Sequence, residues 1–268
     1  MSYHDSMNEV RLVESFGVNI RTGMWVGKNI PLEELTGKHD AIFIGVGLAT
    51  SPDLNIPGEG LRGVHDALEF IEKVTTRKWS SVDVGKRVAV IGAGNTAIDA
   101  ATEAKRLGAE QVVIIYRRGE EEMSAYEFEY ELAKSDGIIF HFLTAPIRIL
   151  GNSSVEALEC TSMKLGASDA KGKRAPQPIS NSEFQIPVDM VIKSIGQKAN
   201  EHFVSQILDL QFQNGKIWVD TKTMQTSNPK YFAGGDCING GKEVVNAAAD
   251  GKRAAHGIDK YIFGSETR

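Results

Sequence analysis

Three stretches of this 268-residue sequence combine residue types and spacings suited to cofactor chemistry. The first is Gly92-Ala93-Gly94-Asn95-Thr96-Ala97. A G-x-G-x-x-G/A pattern is a strong sign of a pyrophosphate-gripping turn only when a strand runs into it and a helix starts from it. Both conditions hold, because Arg87–Ile91 reads as a strand and residues 95–107 as a helix stopped by Gly108. In that setting Gly92 permits the tight turn, Gly94 lets a diphosphate approach the backbone, and Ala97 lets helix and strand pack closely. The helix start offers unpaired N–H groups and partial positive charge, with Asn95 or Thr96 expected as caps. The plain alternative is a tight βα turn that holds no ligand.

The second stretch ends the next strand, Gln111–Tyr116, in Arg117-Arg118. An Asp or Glu at this place in the fold binds the ribose 2′-hydroxyl of NAD, whereas arginine accommodates a 2′-phosphate. Two planar guanidiniums match a phosphate well, so NADP(H) is favoured over NAD(H). Glu120-Glu121-Glu122 argue the other way, since they stand close enough in sequence to neutralise the pair, and a solvated charged turn is the bland reading.

The third stretch runs from Thr226 to Val245 and contains Phe232-Ala233-Gly234-Gly235-Asp236, then a helix from about Glu243 and Val244. Such a helix start stabilises negative charge on a group placed before it. A strand, a glycine turn and a buried carboxylate is the alternative. Tyr130 and Lys134 have the YxxxK spacing of short-chain dehydrogenases, but the TGxxxGxG turn of that chemistry is missing and this spacing arises readily by accident on a helix surface.

Composition narrows the classes further. A net charge of -5 and pI near 5.8 disfavour nucleic acid or an anionic membrane as the main partner. No apolar run approaches the roughly 20 residues that span a bilayer, and no signal pattern opens the chain, so a cytoplasmic protein is expected. The two cysteines, Cys160 and Cys237, form no CxxC, and the six histidines show no metal-binding spacing, so neither a dithiol relay, an iron–sulfur cluster nor another metal site is expected in this chain.

Positioning these stretches calls for a βαβ unit over residues 87–116, whose parallel strands require a crossover helix. Ahead of it, a helix is expected over residues 8–16, strand-like pieces at Val18–Ile20 and Trp25–Val26, a helical turn from Pro31, and a buried parallel strand in Ala41–Gly47. Asp66–Val74 reads as a helix and Thr75–Gly85 as the best linker. Beyond it, Tyr126–Lys134 reads as helix. Ile138–Phe142, Ile147–Leu150 and Val155–Leu165 read as an inserted antiparallel meander, and Ala167–Ser182 as an exposed loop. Val188–Ile195 returns to a strand, Asn214-Gly215 marks a hairpin, and Glu243–Ile262 makes a closing helix. Asp40–Gly47 and Asp189–Gly196 share an acid, an apolar run and a glycine at equal spacing, as though two similar domains each ended there; Gly47 and Gly196 are therefore candidate cofactor contacts.

Taken together, the chain resembles the NADPH-dependent flavin subunits related to the glutamate synthase small subunit and to dihydropyrimidine dehydrogenase, over nearly its whole length. The resemblance rests on Asp40–Gly47, Ile56–Glu59, Asp66–Ile71, Gly92–Ala97 with Asp99, Tyr116–Arg118 with Met123-Ser124-Ala125, and Phe232–Val245. Ser124 departs from the proline usual there. The run Asn239–Ala247 looks closer to the flavin subunit of bacterial dihydropyrimidine dehydrogenases.

The resemblance implies an α/β architecture: a Rossmann-like NADP(H)-binding domain with an inserted antiparallel meander, plus the remaining part of a second, FAD-type dinucleotide domain. It divides the chain into a partial FAD-type domain with linker over residues 1–80, the NADP(H)-binding domain over 81–199, and an FAD-closing segment over 200–268. It implies that Gly235 and Asp236 meet the flavin's ribityl chain, that Glu243 and Val244 face its pyrimidine edge, and that hydride passes from NADPH to FAD and electrons onward to iron–sulfur centres on a partner subunit or a missing N-terminal segment. Family members carry an iron–sulfur region and a first FAD turn that are absent here, so the FAD site is expected to be incomplete and the isolated chain inactive. No catalytic acid or base is named, because hydride transfer between stacked rings needs positioning above all. The alternatives are a glutamate synthase small subunit and a non-catalytic NADP(H)-binding module.

Overall fold

A computed structural model describes residues 3–48, 51–168, 174–198 and 201–264. The chain forms two compact units, one of Met1–Ala49 with Lys198–Arg268 and one of Thr50–Gln197. The first unit opens with α1 (Tyr3–Ser15), α2 (Leu32–Lys38) and β1 (Ile42–Ile44). Pro31 sits at the N-cap of α2, where its missing N–H is no loss. The strand pieces expected over residues 18–26 do not form; that stretch holds one isolated bridge, Val26 to Ile30, and Val18, Ile20, Met24 and Trp25 are exposed while Val26 packs on the unit's core.

The second unit comprises β2 (Val64–Asp66), α3 (Ala67–Thr76), β3 (Arg87–Ile91), α4 (Asn95–Arg106), β4 (Gln111–Ile115), α5 (Glu127–Ser135), β5 (Ile139–His141), β6 (Thr144–Leu150), β7 (Ala157–Ser168), β8 (Arg174–Pro187) and β9 (Met190–Lys193). Five strands make an all-parallel sheet in the order β2-β9-β3-β4-β5. The order reverses beside β3, which creates a crevice at the carboxyl ends of β3 and β9. Alternate residues of β3 serve opposite faces: Val88 and Val90 pack with Phe70, Ile98 and Ala101 of the helices, while Ala89 and Ile91 pack with Ile149, Leu158 and Cys160 of the β6-β7-β8 meander. With both faces covered, the strands read as unbroken apolar runs.

Three expectations are corrected here. Residues 139–141 pair parallel to β4 and belong to the main sheet, reached through the crossover helix α5. Residues 174–187 are a strand, the outer member of the meander; its exposed alternation and its prolines, Pro176 and Pro178, suit an edge. Residues 75–85 are no linker between domains, since Val82 and Val84 pack on the helix-side core and a 3-10 turn covers Trp79–Ser81. The unit boundary thus falls near residue 50 instead of 80.

The first unit resumes with α6 (Glu201–Val204), β10 (Phe212–Gln213), β11 (Lys216–Ile217), β12 (Tyr231–Ala233), α7 (Asp236–Asn239) and α8 (Val244–Phe263). β1 and β12 pair in parallel, Ile42 opposite Tyr231, over a core of Leu32, Ile44, Val204, Ile207 and Cys237. The strand expected over Ala41–Gly47 is shorter than its apolar run, and Phe43 within it is 41% exposed. Asn214 and Gly215 both take positive φ and close the β10–β11 hairpin, as their types require. Among the described residues no helix is long and apolar enough to cross a membrane.

Candidate functional site

The carboxyl ends of β3, β4 and β9 open into a cavity of about 590 Å³. Gly92, Gly94, Thr96, Arg117, Arg118 and Gly196 all line it. Gly92 has φ +129°, and a Cβ there would lie 2.0 Å from the Ser194 carbonyl oxygen, so close approach of the turn to the end of β9 demands glycine. Ala97 is fully buried where α4 meets the sheet.

The capping expectation is corrected: the N-cap of α4 is Gly94, and no side chain caps this helix. Asn95 Oδ1 instead accepts from Tyr126 N at 3.1 Å, which ties the 123–126 segment to the turn. Leaving the first turn of α4 without a side-chain acceptor keeps its N–H groups open to an anion. Across the same cavity lining, Arg118 carries a buried Nε with no hydrogen-bond partner. A buried guanidinium N–H left unpaired is costly, so this orphan donor fits a site that takes a charged acceptor.

Four lining residues, Ser51, Leu54, Thr144 and Pro146, were not singled out in the sequence, while Ile56 and Ser124, quoted above only for the resemblance, line the cavity too. Ser51 and Leu54 come from the loop ahead of β2 and Thr144 and Pro146 from β6, and none of these four belongs to a motif. Ser124 Oγ lies 3.3 Å from the position a Cβ on Gly94 would take, so the residue standing in place of the usual proline rests against the glycine turn. The loop over residues 53–59 is pinned by Glu59, which accepts from Leu54 N at 2.8 Å and Asn55 N at 3.0 Å and pairs with Lys193 Nζ at 2.7 Å. Burial works against the Glu59 carboxylate, yet these bonds outweigh it and hold its pKa below the ordinary range.

In the first unit, Gly47 and Gly235 follow the carboxyl ends of the paired strands β1 and β12, both with positive φ. Asp236 opens α7, and its Oδ1 accepts from Lys242 N at 3.0 Å. Glu243 is the N-cap of α8 and Val244, its first residue, is 84% exposed. A residue not singled out in the sequence, Asp250, is buried, accepts from Gly235 N at 2.9 Å and pairs with Arg253, so it fixes the glycine turn against α8.

The remaining chemistry-bearing residues are occupied elsewhere. Tyr130 has its hydroxyl pushed up to about 12 by burial and by Glu120, the wrong direction for a proton-transfer tyrosine, and Lys134 Nζ sits over its ring at 4.7 Å. Burial drives the Cys160 thiol up to about 12 and raises that of Cys237 as well, and the two lie in different units. Among the described residues no group of three potential ligands converges on a metal position.

The family model described as pyridine nucleotide-disulphide oxidoreductase matches residues 12–251. The chain is 37% identical over 257 residues to the NADP(+)-dependent formate dehydrogenase subunit beta of Moorella thermoacetica, covering 95% of this chain and 36% of that protein. It is 34% identical over 261 residues to the small chain of glutamate synthase (NADPH) of Escherichia coli K12, covering 92% and 55%. Against the NADPH-Fe(3+) oxidoreductase subunit beta of Geobacter sulfurreducens it is 33% identical over 285 residues, covering 97% and 42%. The chain thus spans between 36% and 55% of the length of these curated relatives. Two of the solved structures that share its fold are Mycobacterium tuberculosis FprA in complex with NADPH (TM-score 0.69, 22% identity, 91% of this chain and 69% of that one) and T. acidophilum thioredoxin reductase (TM-score 0.63, 20% identity, 83% and 65%). The expected architecture of paired dinucleotide domains is therefore the observed fold.

Proposed function

The chain belongs to the pyridine nucleotide-disulphide oxidoreductase family, and from that premise we propose that it is the NADPH-oxidising, flavin-holding portion of an electron-transfer enzyme. The observation that carries the reading is the unpartnered buried Nε of Arg118, in the same cavity as the uncapped start of α4. Gly92, Gly94 and the first N–H groups of α4 would grip the pyrophosphate, and Arg117 with Arg118 the 2′-phosphate. Gly196 borders the same cavity from the end of β9. In the other unit, Asp236 would accept hydrogen bonds from the ribityl chain of FAD, Gly47 and Gly235 would let it approach, and the start of α8 at Glu243 and Val244 would favour negative charge on the flavin ring.

When bound, NADPH supplies a hydride and FAD accepts it, which is chemistry of the cofactors. The chain's own part is to bind and orient, and no side chain is assigned as acid or base. Electrons would leave to iron–sulfur centres on a partner subunit or segment, a reading supported by relatives whose printed names make them the beta subunit or small chain of larger enzymes. The Asn239–Ala247 run favours the flavin subunit of a dihydropyrimidine dehydrogenase over a glutamate synthase small subunit; NADPH-driven reduction of a pyrimidine, rather than glutamate formation, in the reconstituted complex tests that choice.

The nucleotide reading is tested by fluorescence titration with NADPH and NADH, on the parent chain and on Arg117→Ala/Arg118→Ala. A parent preference for NADPH of roughly a hundredfold, lost in the double variant, is expected for two charge-assisted phosphate contacts. Equal affinity of the parent for both nucleotides would remove it. NADPH oxidation with added FAD and a dye acceptor separates an enzyme from a module that only binds.

A further inference from the structure

Two arginines followed at once by three glutamates look like a self-neutralising turn, and a phosphate would then find no free guanidinium. The structure arranges these charges differently. Glu122 has both carboxylate oxygens engaged: Oε2 accepts from Gly119 N at 3.0 Å, and Oε1 accepts from Arg174 Nε at 3.0 Å and from its Nη2. Glu121 Oε2 lies 3.4 Å from the same Nη2. Glu120 interacts with Tyr130. Among the described residues no carboxylate pairs with Arg117 or Arg118.

Arg174 opens β8, the edge strand of the meander, and comes to this turn from 52 residues away in sequence. Glu122 is 20% exposed at its side chain, so its ion pair is sheltered, whereas Glu121 is almost fully exposed and contributes little. The Gly119 N–H that Glu122 binds is one peptide bond from Arg118. A carboxylate released from Arg174 at that turn would be free to pair with Arg118, and a bidentate arginine–carboxylate pair would compete directly with a phosphate.

We propose that Arg174 is a positioning residue for cofactor selection: it clamps Glu122, with Glu121 at the margin, so that Arg117 and Arg118 stay available to the 2′-phosphate of NADP(H). The inference rests on the assignment of those two arginines to that phosphate. It places part of the cofactor preference on the meander, outside the βαβ unit. NAD(H) lacks the phosphate, so its binding is indifferent to the clamp.

The test compares dissociation constants for NADPH and NADH in the full chain carrying Arg174→Gln, Glu121→Gln/Glu122→Gln, all three together, and Arg117→Ala/Arg118→Ala. Arg174→Gln is expected to weaken NADPH by roughly tenfold, the effect of one unscreened like charge beside the phosphate, and to leave NADH within about twofold. Adding Glu121→Gln/Glu122→Gln is expected to restore NADPH binding, because no carboxylate is left to release. Equal weakening of both nucleotides, or no rescue in the triple variant, would mean that Arg174 only braces the hairpin and would overturn the clamp. If Arg117→Ala/Arg118→Ala abolishes the preference while Arg174→Gln leaves it intact, the clamp alone fails. A parent chain without preference removes the phosphate assignment and the clamp with it.

Discussion

Gly92 concentrates the constraints on the turn at a single Cα: left-handed backbone and a carbonyl oxygen where any side chain would begin. Gly92→Ala must push β9 away from β3 or distort the turn, and either response disturbs the crevice at the strand ends. We expect a loss of stability on the order of 3 kcal/mol by urea denaturation, with NADPH affinity falling alongside. Unchanged stability would mean that Ser194 yields freely. This residue was legible in the sequence because glycine spacing reports backbone geometry directly. Ser51 and Thr144 were not, because a lone hydroxyl outside any motif acquires meaning only when tertiary packing delivers it. Arg174 was hidden for a further reason: its partners are remote in sequence, and the segment around it reads as a polar loop.

At the scale of elements, α4 combines a favourable start with an unfavourable middle. Glu103 has a buried Oε2 without a hydrogen bond, and burial, then the nearby Asp99, lifts its pKa to about 7 from 4.5. An acid whose pKa rises on folding binds its proton more tightly in the native state. Its penalty is therefore absent below the ordinary carboxylate pKa, grows as pH rises to about 7, and is complete above it. Glu103→Gln should stabilise the protein at pH 8 by about 1 kcal/mol, after allowance for partial exposure, and change little at pH 4. Thermal melts at the two pH values check the difference; an equal shift at both would assign the effect to packing. Element boundaries for β3, α4, β4 and α8 followed from apolar period and glycine stops, and the hairpin from Asn214-Gly215. Sheet membership of β5 and the strand nature of β8 were illegible, since three apolar residues do not state their neighbours and an exposed edge strand has a loop's composition.

On the scale of the whole molecule, the Thr50–Gln197 unit is one uninterrupted segment, and both of its apolar clusters are built from residues within it. A protein with its own core folds alone as a rule. Residues 50–197 expressed by themselves should melt cooperatively and bind NADPH within roughly threefold of the full chain; a collapsed, non-cooperative product would show that the rest of the chain is needed. The companion unit has no such independence of sequence, because its β1–β12 pair and the Thr36–Tyr231 hydrogen bond join residues as much as 195 positions apart.

That separation sets an order of assembly. Bringing Ile42 to Tyr231 along a disordered chain means closing a very long loop, but a nucleotide unit that has already condensed shortens the span to be searched. On the ribosome, β12 emerges only after the whole intervening unit has been made, so the inner fold has time to finish first. Damage should consequently spread in one direction: a lesion that melts the inner unit delays closure of the outer one, while a lesion in the outer unit leaves the inner one standing.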